Sequence, residues 1–155
     1  MGTMPFFFDP LTREYDSRIW NDQYVLGVIH GMVSGSLVIG GYSLSTKDKG
    51  RVVIDVFAGL GAEPWVARFA TEMVLNGDAD FQRGSDDAVC SVMIGASRLK
   101  SDLYAQPDIA NALADAPAFQ REMQAYSDSR MVPLEEAHAA AFLFRKVRAH
   151  QGTSY

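Results

Sequence analysis

Residues 24–44 read YVLGVIHGMVSGSLVIGGYSL, with no Lys, Arg, Asp or Glu and with Gly27, Gly31 and Gly35 spaced four apart. On a helix, residues at i, i+4 and i+8 lie along one face. Glycines at those positions strip the side chains from that face and leave a flat groove for another backbone. A glycine inside a helix costs about 1 kcal/mol relative to alanine, so this register requires a compensating contact. The stretch predicts a Gly-rich central helix, with Gly27, Gly31 and Gly35 as candidate interface residues. Another helix of the chain, a second copy, a partner protein or lipid could fill the groove.

Working outward, Asp16 or Ser17 is placed to cap this helix, which runs through Ile19 and Trp20 to about Ile39, where Gly40-Gly41 ends it. Residues 1–15 predict an irregular arm. Within it Pro5 and Pro10 bracket Phe6, Phe7 and Phe8, an apolar triplet that needs a docking surface and joins the candidate interface residues. Ser45-Thr46-Lys47-Asp48 has the form of a capping box. After it, Val52, Val53, Val56, Phe57 and Leu60 recur at helical spacing. The β-branched content of RVVIDVFAG suits a buried strand equally well, so this segment stays open between helix and strand.

Pro64 then opens a helix with a stripe of Trp65, Val66, Phe69, Ala70, Met73 and Val74, closed by Gly77. A polar loop follows, after which Ser85 caps a helix carrying Val89, Val92, Met93, Ala96, Leu99 and Leu103. Pro107, Pro117 and Pro133 each start a further helix, the last with Leu134, Ala137, Ala141, Phe142 (or Leu143) and Phe144. The expected fold is mainly α: a single domain, 1–155, built as a compact bundle of five to six helices. An α/β fold is the alternative.

Length, charge and cysteine content bound the function. A chain of 155 residues can bury roughly two-thirds of its unfolded surface. Net charge is −5 and no Lys/Arg cluster interleaves with aromatics, which argues against nucleic-acid binding because phosphates need a concentrated positive face. Arg145, Lys146 and Arg148 are expected near the end of the last helix, complementing its dipole. Cys90, the single cysteine, forms no intrachain disulfide and fits a reducing, cytoplasmic setting; it is expected in the first turns of its helix as a buried thiol. The N-terminus lacks a signal-peptide pattern, and Phe6 stands where myristoylation needs Ser or Thr. Residues 24–44 reach the roughly 20 residues of a membrane span, but their glycines, serines and His30 dilute it.

The run Val53-Ile54-Asp55-Val56-Phe57-Ala58-Gly59-Leu60-Gly61 resembles the first motif of S-adenosylmethionine-dependent methyltransferases, an apolar strand ending in D-x-F-A-G-x-G. The resemblance implies an α/β fold in which Asp55, Phe57, Gly59 and Gly61 line the cofactor turn. It covers about nine residues, and the alternating strands of a doubly wound sheet do not follow.

Other constellations are partial. Counting from Asn76, oxygen ligands fall at positions one, three, five and twelve (Asn76, Asp78, Asp80, Asp87), which resembles a calcium-binding loop. Phe81 replaces the turn glycine, and an Asp the final Glu; a polar connection with helix-capping acids is the simpler reading. Glu135-x-x-His138 resembles half of a di-iron carboxylate site, with no second pair. His30 is expected to meet a backbone or hydroxyl partner. No residue is therefore assigned as catalytic, cofactor-binding or metal-ligating. The expected function is non-enzymatic: packing contacts, as a homo-oligomer or as a subunit of a larger assembly. A methyltransferase-like enzyme and a membrane-associated subunit are the alternatives.

Overall fold

Asp22 decides where the first long helix begins. Its carboxylate accepts the Val25 amide at 3.2 Å while its own backbone is extended, with φ −102 and ψ 108, the arrangement of a helix N-cap. The computed structural model describes residues 17–96 and 134–154, with isolated helical positions at 121, 124, 125 and 128. The arm with Phe6, Phe7 and Phe8, and the helix expected after Pro107, lie outside the described residues, as does most of the one expected after Pro117.

Helix α1 spans Gln23–Ile39. The stretch before it, expected to belong to the same helix, is instead a 3-10 turn over Ser17–Asn21, closed by the Asp22 amide on the Ile19 carbonyl at 3.3 Å. Ile19 and Trp20 are buried from that turn. In the first half of α1, Tyr24, Val25, Leu26, Val28 and Ile29 are all buried. A helix apolar on every side belongs in the middle of a fold, and α1 packs against α2, α3 and the 3-10 turn.

Helix α2, Thr46–Gly59, resolves the ambiguous segment as helix. Ser45 decides it: its hydroxyl accepts the Asp48 amide at 3.1 Å and donates to the Asp48 carboxylate at 2.6 Å. One orphan helix-end amide is thereby satisfied and the capping hydroxyl is itself held by the Asp48 carboxylate, which outweighs the modest strand preference of valine and isoleucine. Among the α2 residues only Phe57 is fully buried, its ring edge-on to Trp20 with centroids 6.4 Å apart. The α/β alternative fails here, since the described residues contain no strand.

Helix α3, Pro64–Asn76, starts with proline in its first turn as expected. It buries Val66, Ala67 and Ala70, while Trp65 and Phe69 pair on the adjoining face with centroids 6.2 Å apart. The ends of α1, α2 and α3 share one device. Gly41, Gly61 and Gly77 take left-handed φ values of 71, 85 and 64. In each case the next amide reaches back to a carbonyl of the last turn: Tyr42 to Leu37, Ala62 to Phe57, Asp78 to Met73. Glycine adopts this backbone without a Cβ penalty.

Helix α4 runs from Ala79 to Gly95. The polar loop expected before it shrinks to Gly77-Asp78, because Asp78 and not Ser85 is the cap: its carboxylate accepts the Phe81 amide at 2.9 Å. Helix α5 covers Leu134–Ser154. The chain divides into two compact units, Met1–Val89 and Cys90–Tyr155. In the second, the Ser91 hydroxyl donates to the Ala139 carbonyl at 2.8 Å, and Ala139, Phe142, Leu143 and Val147 of α5 are buried. Because α5 continues well past Arg148, the basic residues do not sit in its last turn. Lys146 and Arg148 instead lie over the rings of Phe142 and Phe144, at 5.6 and 5.1 Å from their centroids, one helical turn back.

Candidate functional site

The glycine face of α1 meets α4 of the same chain. A Cβ on Gly27 would overlap the Phe81 carbonyl oxygen and lie 2.8 Å from its carbon. One on Gly31 would lie 2.8 Å from Ser85 Cα and 2.9 Å from Ala88 Cβ. The contact is reciprocal, because a Cβ on Gly84 of α4 would overlap the Tyr24 carbonyl oxygen and lie 3.0 Å from the Val28 nitrogen. Two backbones touch with nothing between them, the compensation that glycines inside a helix require. Gly35 is also buried. Gly84 escaped the sequence reading. Its signal was present in the small residues Gly84 and Ala88, four apart and preceding an apolar run.

Polar groups pin this crossing. The Tyr24 hydroxyl donates to Asp87 at 2.8 Å, and the Arg83 guanidinium lies 5.3 Å from the Tyr24 ring centroid. Burial, with the Asp87 charge second, pushes the phenol far above its usual range, so Tyr24 stays protonated as the donor. His30 Nδ1 lies 3.3 Å from the Ser85 hydroxyl, the kind of partner expected for it, and its ring is 5.3 Å from that of Phe81. Burial lowers the His30 pKa and keeps the imidazole neutral. Imidazole beside hydroxyl is the raw material of nucleophilic catalysis, but Ser85 is only 7% exposed and wedged under Gly31.

A cavity of about 350 Å³ opens between α1, α2 and α3. Helix α1 contributes His30, Ser34 and Leu37 to its lining, α3 contributes Ala70, Thr71, Val74 and Leu75, and α2 adds Thr46, Lys49, Gly50 and Val53. The walls are mostly apolar, and among the described residues Lys49 is the one ionisable group besides His30. The Thr71 hydroxyl is already committed as donor to the Ala67 carbonyl at 2.9 Å. A second hollow of about 460 Å³ lies between α2 and α3, over Phe57 and Ala67.

The partial motifs come apart. The oxygens of the calcium-like run serve separate local roles: Asp78 caps α4, Asp80 pairs with Arg83 at 3.0 Å, and Asp87 accepts from Tyr24. A helix from Ala79 onward cannot wrap them around one ion. Asp55, Phe57 and Gly59 lie on α2, so the strand-to-turn geometry of the methyltransferase motif does not form, and Gly61 ends a helix. Cys90 is half-buried in the middle of α4, not in its first turns. Among the described residues no three His, Cys, Asp or Glu side chains converge as a metal site, and no helix is long and apolar enough to cross a membrane. No family model, curated protein or solved structure matches this chain.

Proposed function

We propose that the protein works through packing contacts with other protein, by self-association or as a subunit of a larger assembly. The observation that supports this reading is the apolar surface left open where α1 and α3 end. Leu75 is 79% exposed, Val38 72% and Tyr42 64%, and Leu37, Val74 and Leu75 border one cavity, so the two helix ends adjoin. Isolated surface leucines are ordinary. Several large apolar side chains exposed around adjoining helix ends are what such a contact would use, and they support the reading. The glycines at 27 and 31 are occupied by α4, so the proposed outward contact uses this end of the helices instead.

Mass in solution tests the proposal. Sedimentation equilibrium at two protein concentrations is expected to show a species heavier than the 17.0 kDa chain, and Leu75→Asp with Val38→Asp is expected to reduce it to monomer without lowering Tm. A monomer at every concentration, with no stoichiometric partner in extracts of the source, would overturn it.

A further inference from the structure

We infer that the cavity between α1, α2 and α3 binds a small apolar molecule carrying one anionic head group, of the chemistry of a medium-chain carboxylate. Its volume of about 350 Å³ falls within the roughly 300–1,000 Å³ of small-molecule pockets, which are apolar with a few placed polar groups. Leu37, Val53, Ala70 and Val74 supply the apolar walls. The charge is one-sided. The chain carries 19 acidic against 14 basic residues, yet among the described residues no Asp or Glu lines this cavity and Lys49 does. Ser34 and Thr46 add hydroxyls able to donate to a carboxylate.

Gly50 adds an independent observation. It lies inside α2, where glycine costs about 1 kcal/mol relative to alanine. Unlike Gly27, Gly31 and Gly84, it has no close neighbour, since a Cβ built there meets nothing within 4 Å. Among the described residues nothing packs against it, as is also true of Gly59 farther along the same helix. At Gly50 the missing side chain keeps the α2 wall of the cavity open, and an occupant would supply the contact that its backbone now lacks. Leu75, mostly exposed at the cavity's border, would be covered by an alkyl chain.

The test is calorimetric titration of the full chain with sodium decanoate, below its micellar concentration, beside decanol and acetate. Saturable binding of decanoate at one site is expected, with decanol weaker and acetate absent. Lys49→Gln should weaken decanoate by about threefold, the worth of one exposed ion pair, and leave decanol unchanged. Gly50→Leu should abolish binding without lowering Tm, and it leaves Leu75 in place for the association proposed above. If that variant folds poorly, amide shifts of the unaltered protein decide. Decanoate should move residues 30–37, 46–53 and 70–75. Absence of saturable binding, binding that survives Gly50→Leu, shifts centred elsewhere, or decanoate binding no tighter than decanol and indifferent to Lys49→Gln would each overturn the proposal.

Discussion

Gly31 and Gly50 are chemically identical and energetically opposite. At Gly31 a methyl group would press on Ser85 Cα and Ala88 Cβ, while at Gly50 it would enter open space. Gly31→Ala should therefore lower stability by roughly 1–3 kcal/mol, overpacking outweighing the better helix former. Gly50→Ala should raise it by up to about 1 kcal/mol. Denaturant unfolding of the two variants side by side checks the difference in sign. His30 gives a second residue-level expectation. Its folded pKa lies below the ordinary value of 6.5 because burial disfavours the charged ring. In the interval between folded and unfolded pKa the unfolded chain binds the extra proton, so this contribution is complete above pH 6.5 and falls away on acidification. His30→Gln should flatten the slope of stability against pH below that point. An unchanged slope would show that carboxylates alone control it.

Among the elements, what was legible in the sequence was what depends on neighbours in the chain. Ser45 with Asp48, Pro64 and Gly77 fix ends of α2 and α3 through short-range geometry, and each does what its spacing suggested. The start of α1 was misplaced because three residues near it, Asp16, Ser17 and Asp22, can all cap. The choice rests on burying Ile19 and Trp20 from a separate turn, a tertiary demand. Asp22→Ala should then cost about 1 kcal/mol, read as a lowered Tm with fraying confined to the first turn of α1. The glycine face was visible, but its occupant was not. Nothing local to Gly27 or Gly31 names Gly84, and the cavity beside His30 needs three helices assembled before it exists. Ser85 was misread for the same reason: serine before an apolar run looks like a cap until Asp78 is seen taking that role.

For the whole molecule, the crossing of α1 and α4 carries a consequence in time. His30 and Ser85 are 55 residues apart in sequence, so joining them requires closing a long loop. The glycine contact tolerates no separation and no extra atom, so it yields nothing until both helices are formed and aligned. Interactions that are favourable only at full alignment are absent from a loosely packed transition state. Gly31→Ala should accordingly leave the refolding rate nearly unchanged and speed unfolding by most of its equilibrium effect. Stopped-flow chevrons measure this directly, and a matching loss in the refolding limb would place the crossing in the nucleus instead. If the contact forms last, the glycines work as a latch. They contribute little to how fast the native state is reached and much to how long it is kept.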